Sequence, residues 1–189
     1  TTYRAGLGYA FDNGVTPYVS YSESFEPLVG TDANGDPFDP TTAQQYEVGV
    51  KYAPVGYDAL LTASAYQLTE QNIQSTSPSN PNLTIQGGEI RSRGIELSAQ
   101  ADLMDSLNVT ASYTYTDAEA TEGTNLLPEG NTPTVTPEHA AKGWTNYTVP
   151  SGTLKGLELG GGVRFVGKTE GDNANTITNP SYTVADARV

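Results

Sequence analysis

The sequence predicts an all-β chain, an antiparallel up-and-down sheet of about nine strands forming an open, curved fragment of a transmembrane β-barrel. Three observations carry this. Apolar and polar residues alternate with the period of two of a strand, in runs of about ten residues, the length a tilted strand needs to cross the hydrocarbon of a bilayer. Connections between the runs alternate short and long, which puts every long loop on one edge of the sheet and every tight turn on the other. The hydrophobic fraction is only 36% of 189 residues, which leaves little for a dense core.

Composition narrows the class further. Long apolar runs are absent, so no transmembrane helix is expected, whereas alternating barrel strands escape a hydropathy window. The chain has no cysteine, which removes any disulfide framework or thiolate metal site. Its net charge of -13 would repel a phosphate backbone, so nucleic acid is not an expected partner.

In chain order, Thr1 to Phe11 already alternates through Tyr3, Ala5, Leu7, Tyr9 and Phe11, so the chain is expected to begin inside a sheet. The Asn13-Gly14 pair is a tight-turn signal and leads into Val15 to Phe25. Glu26 to Thr41 is crowded with Gly, Pro, Asp and Asn and reads as a long loop. Gln45 to Ala53 follows, with Tyr46, Val48, Val50 and Tyr52 on one face; Pro54 to Asp58 joins it to Ala59 to Asn72. The faces of that fourth run stay open, because Leu60, Tyr66 and Leu68 oppose Leu61, Ala63 and Ala65.

Ile73 to Gly87 is the next long loop, and Gly88 to Glu119 is the central hairpin. Its first arm places Ile95, Leu97, Ala99, Ala101 and Leu103 on one parity, and its second places Leu107, Val109, Ala111, Tyr113 and Tyr115, with Met104, Asp105 and Ser106 between. Ala118 to Pro137 is a third long loop, Ala140 to Val149 a strand, Pro150 to Gly156 a short connector and Leu157 to Val166 a strand. Gly167 to Ser181 is the last long loop, and a ninth strand begins near Tyr182.

A soluble β-sandwich would alternate in the same way. Against it stand the strand lengths, above the five or six residues usual in soluble sheets, and the tyrosines 46, 52, 113, 115 and 147 near strand ends, where an aromatic girdle would meet lipid headgroups.

Several segments also resemble a family. PYVSYSESFEP (17–27), QQYEVGVKYAP (44–54), GGEIRSRGIELSAQA (87–101), SYTYTDAE (112–119), GNTPTVTPEHAA (130–141) and PSYTVADA (180–187) are similar, in order, to TonB-dependent ferric-siderophore receptors, in particular the ferrichrome-type hydroxamate receptors of Gram-negative outer membranes. The resemblance implies a plug followed by a barrel of about twenty-two strands, of which residues 1–189 would be one partial domain, a segment of the C-terminal half without the plug or the final strands. It implies import of an iron-siderophore complex, with this chain supplying barrel wall and extracellular loops. The implied partners are the ferric siderophore, TonB reached through the missing plug, and the lipid and lipopolysaccharide of the outer membrane. A passive barrel, a porin or an adhesin translocator, is the alternative use of the same wall.

Candidate ligand contacts are few. Arg91 and Arg93, with Glu89, cluster where a long loop joins the sheet, and Lys168 is the one lysine inside a long loop. These are the candidates for the extracellular mouth, set against a lumen-wall ion network that needs no ligand. Arg164 with Glu158 invites that same network reading. His139, the only histidine, reads as a strand start and not as a metal ligand. Trp144 and Tyr147 have opposite parity, so one faces the lumen and the other lipid. Gly160 to Gly162 reads as a bend or close packing within a strand. No nucleophile and base pair is arranged for catalysis, and no cofactor is expected. Most of the 22 acidic residues fall in or beside the long loops, so the mouth would be negative and would favour a neutral or cationic hydroxamate complex over an anionic catecholate.

Overall fold

A computed structural model describes residues 1–32, 35–77, 80 and 83–189. The strands are β1 (Arg4–Gly8), β2 (Val15–Glu26), β3 (Thr41–Tyr52), β4 (Ala59–Gln71), β5 (Gln74–Thr76), β6 (Thr84–Gln86), β7 (Glu89–Met104), β8 (Leu107–Glu122), β9 (His139–Thr148), β10 (Glu158–Val166), β11 (Thr169–Glu170), β12 (Thr178–Asn179) and β13 (Tyr182–Arg188). Nine of them form one sheet in the order β1-β2-β3-β4-β7-β8-β9-β10-β13, and all of its pairs are antiparallel. The sheet does not close, since β1 and β13 form its two edges. Among the described residues no second layer faces it, which removes the sandwich. The small pairs β5-β6 and β11-β12 are hairpins inside the second and fourth long loops.

Connections alternate as expected. Residues 9–14, 53–58, 105–106 and 149–157 turn on one edge, and 27–40, 72–88, 123–138 and 167–181 loop over the other. The first turn shows why its sequence was legible. Gly14 has φ +87°, and a Cβ there would overlap the Ala53 carbonyl, so only glycine fits. Asn13 Oδ1 accepts from the Val15 amide at 3.1 Å.

Register separates two faces, because directly paired residues point the same way. Pro17, Val50, Ala63, Leu97, Tyr113, Ala141 and Phe165 stand in one cross-strand row. The adjacent row on the opposite face is Thr16, Lys51, Thr62, Ser98, Ser112, Lys142 and Arg164. The fourth run is thereby resolved, with Leu61, Ala63 and Ala65 on the apolar face and Leu60, Tyr66 and Leu68 on the polar one. Tyr46, Tyr52, Tyr113, Tyr115 and Tyr147 all share the apolar face.

Among the described residues neither face is covered by a core. Leu97 is 44% exposed, Leu159 41% and Val163 57%. Val109 on the same face is partly buried, with Ala101 and Thr145 beside it in register. Among the described residues the buried apolar side chains are Ala118 and Ala120 alone. They lie where β8 runs on to Glu122, past the expected start of the loop at Ala118. There Ile90 pairs with Ala120, and the Ala120 amide and carbonyl bond the Asn131 carbonyl and the Gly130 amide. Small residues without Gly or Pro let the ladder continue where polarity suggested a loop.

The polar face holds its large rings flat over glycines of neighbouring strands. A Cβ on Gly49 would lie 2.7 Å from the Tyr18 ring, one on Gly94 2.7 Å from Tyr66, and one on Gly160 2.7 Å from Trp144, which also covers Gly162. The glycine run in β10 is thus close packing. Trp144 faces the polar side and donates from Nε1 to Asn146 Oδ1 at 2.8 Å, while Tyr147 pairs with Leu107 and Leu159 on the apolar side.

Candidate functional site

The loop-bearing edge is built as two clasped pairs. Between loops 27–40 and 72–88, Gln86 Oε1 accepts from the Asp39 amide at 2.9 Å while its Nε2 donates to the Asp39 carbonyl. Thr41 Oγ1 and Gln86 Nε2 both donate to the Asn72 carbonyl, at 3.0 and 3.1 Å. Between loops 123–138 and 167–181, Asn175 meets Thr132 twice. Its Oδ1 accepts from the Thr132 amide at 2.8 Å and its Nδ2 donates to the Thr132 carbonyl at 2.9 Å. Asn131 Nδ2 donates to the Asn173 carbonyl at 2.9 Å, and the Val135 amide to the Glu170 carbonyl at 3.1 Å. Asn72 and Asn175 adopt φ of 61° and 54°, a left-handed geometry asparagine tolerates. Loop composition flagged these segments as irregular but gave no signal of which loops would pair.

Asp172 organises the last loop from within. Its Oδ1 accepts from the amides of Thr176 and Ile177 at 2.8 and 2.9 Å, and its Oδ2 accepts from Thr176 Oγ1 at 2.6 Å. The Thr176 hydroxyl first, then the Ile177 amide, holds this carboxyl below its ordinary range. Glu89 at the rim is lowered in the same way, first by Thr121 Oγ1 at 2.6 Å and then by Gln71 Nε2 at 2.7 Å.

The three candidate cations are not brought together. Arg91 and Arg93 share the parity of Ile95 and Leu97, so they extend the apolar face above its tyrosines and do not line the polar wall. The lumen-wall placement expected of them is therefore corrected by register. Arg91 is ion-paired across the strand to Glu119, and Arg93 Nε donates to Gln67 Oε1 at 2.9 Å. Lys168 instead lines a cavity of about 390 Å³ between the last two long loops, beside Thr116, Thr136, Glu138 and Glu170. The second expected ion network is also rearranged, since Glu158 pairs with Arg188 of β13 at 3.1 Å and not with Arg164. His139 opens β9, its Nδ1 2.9 Å from the Tyr113 hydroxyl and its ring 5.3 Å from Tyr115, within the tyrosine band. Among the described residues no three His, Cys, Asp or Glu gather in a way that could hold a metal.

A two-faced wall with one looped rim can seat a membrane on its apolar side, enclose polar contents on the other, and admit solutes at the rim. Comparisons with known proteins agree with that geometry. The family described as "TonB dependent receptor-like, beta-barrel" matches residues 1–189. The chain is 49% identical over 188 residues to the "Ferrichrome outer membrane transporter/phage receptor" of Escherichia coli (strain K12), covering 100% of this chain and 25% of that protein. It is 42% identical over 184 residues to the "Ferrioxamine B receptor" of Salmonella typhimurium (strain LT2), covering 97% and 26%. Among solved structures, the siderophore receptor PiuA from Acinetobacter baumannii superposes with a TM-score of 0.80 at 29% identity, covering 98% of this chain and 28% of that one. The chain thus spans about a quarter of the length of these relatives.

Proposed function

The chain belongs to the TonB-dependent receptor-like β-barrel family, and from that premise we propose that it forms one sector of the wall and rim of an outer-membrane receptor that imports a ferric hydroxamate siderophore. The observation that carries the reading is the division of labour in the sheet, with an apolar, tyrosine-banded face, a polar face bearing Lys51, Lys142 and Arg164, and all four long loops on one edge. Support for the substrate class comes from the relatives named for ferrichrome and ferrioxamine B and from the acidic rim, which favours a neutral or cationic complex.

In this reading residues 1–189 are a segment of the C-terminal half of a larger barrel, and the plug and closing strands lie elsewhere in the whole protein. TonB acts through that plug, lipid and lipopolysaccharide cover the apolar face, and no catalytic step is needed. Uptake of radiolabelled iron from ferrichrome tests it, using the full-length protein in Gram-negative cells stripped of their own hydroxamate receptors. Uptake is expected with TonB and none without it. Equal uptake in cells lacking TonB would replace the receptor with a passive barrel.

A further inference from the structure

Three of the 9 Lys and Arg residues of this acidic chain stand in one cross-strand row of the polar face, Lys51, Lys142 and Arg164. The positions between them in that row, Thr62, Ser98 and Ser112, carry hydroxyls and no carboxylate. Lys51 is already engaged, its Nζ lying 5.4 Å from the centre of the Tyr18 ring. Lys142 and Arg164 are not. They stand directly opposite each other in the register of β9 and β10, and like charges so placed repel unless an anion lies against both. Both side chains are exposed, and among the described residues neither takes part in an ion pair or a side-chain hydrogen bond. They line a cavity of about 630 Å³ whose wall also presents Gln100, Thr110 and Trp144. Asp186, opposite Gly162 and so one row away, borders the same cavity but is ion-paired with neither cation, which leaves one positive charge in excess.

We infer that Lys142 and Arg164 form a docking site for a carboxylate side chain on a polypeptide segment enclosed by the wall, contributed by the part of the protein outside residues 1–189. Charge complementarity sets the chemistry of the partner. A carboxylate between the two cations accepts from the Arg164 fork and the Lys142 ammonium together, and the hydroxyls of Ser98, Thr110 and Ser112 are donors for its neighbours on the same segment. The chain spans about a quarter of the length of its relatives, so most of the protein is available to supply that segment. The inference rests on the receptor function proposed above, which puts this face on the inside of the wall, and adds the side chains that hold the contents in place.

The test is carbodiimide cross-linking of the full-length receptor in detergent, which joins a lysine amine to a carboxylate only where the two are in contact, followed by digestion and mass spectrometry. Lys142 is expected to be joined to an Asp or Glu outside residues 1–189, and Lys142→Arg, which keeps the charge but removes the amine, should lose that product. A Lys142 joined only to Asp186 or to another carboxylate within residues 1–189, or left unjoined while other lysines of the receptor react, would overturn the docking site. A second measurement follows the rate at which the partner carboxylate is modified by carbodiimide and glycinamide. Lys142→Gln combined with Arg164→Gln should raise that rate about fivefold, the scale of one ion pair, and an unchanged rate would overturn the site as well. The wild-type cross-link needs no variant to fold. Iron uptake from ferrichrome is read separately, so a missing cross-link with TonB-dependent uptake intact removes the docking site alone, whereas absent uptake removes the receptor function on which the site rests.

Discussion

Leu97→Arg is the sharpest test of which face meets lipid. Leu97 lies two residues from Ala99, the midpoint of the apolar parity that runs from Ile95 to Leu103 on β7. A rise of about 3.3 Å per residue along a strand tilted by about 40° gives about 2.5 Å of depth per residue, which puts Leu97 about 5 Å from the bilayer centre. Arginine costs about 2–4 kcal/mol at the midplane and about 0–1 near the interfaces, so at this depth the expected loss is about 2 kcal/mol. That is about thirtyfold in the folding equilibrium. Gln100→Arg is the control. It is close to the same height but shares the polar face with Trp144 and Asp186, and it should change stability by less than about 0.5 kcal/mol. Both variants would be measured in the full-length protein by equilibrium folding from urea into phosphatidylcholine vesicles. Equal losses, or a larger loss for Gln100→Arg, would refute the assignment of the apolar face to lipid.

Two further expectations concern the polar face and the last loop. Gly162→Val removes the space over which Trp144 lies and should cost about 1–3 kcal/mol by overpacking; the indole emission should shift to the red as the ring is displaced, and an unshifted spectrum would mean that the ring is held by something other than the glycine. The Asp172 carboxyl is held below its ordinary value in the folded loop, so its contribution is fully present above the unfolded value of about 4 and is lost as pH falls through the lower folded value. Amide exchange at Thr176 and Ile177 should therefore speed up only in that acid window, and Asp172→Asn should abolish the dependence.

Strand order, turn positions and, outside the fourth run, the two parities were legible because each rests on local rules, period-two alternation and turn residues such as Asn13-Gly14. The parity of Ile95 and Leu97 already fixed that of Arg91 and Arg93, since all four numbers are odd. The lumen-wall expectation for the arginines followed their charge and passed over that count. What local pattern could not supply was anything set by pairs distant in sequence. Glu158 finds Arg188 because β13 lies against β10 with Gly160 opposite Arg188, and Asn175 finds Thr132 across two loops of similar composition. The extension of β8 to Glu122 was hidden for a related reason. Ala118 and Ala120 alternate with Asp117, Glu119 and Thr121, a pattern that reads as a polar loop until β7 is seen to run alongside.

The rings laid over glycines have a consequence for how the wall opens. Tyr18, Tyr66 and Trp144 each act as a shingle, covering backbone of an adjacent strand that would otherwise be wetted from the polar side. Tyr18 is pinned by Glu47 at 2.5 Å, Tyr66 by Thr116 at 3.2 Å and Trp144 by Asn146 at 2.8 Å, so each tile has a fastening of its own. Amides beneath the tiles, such as those of Gly49, Gly94 and Gly162, are shielded from water on a side where most of the wall is bare. The sheet should therefore breathe unevenly, loosening first in the untiled stretches and last along the line that these three rings protect.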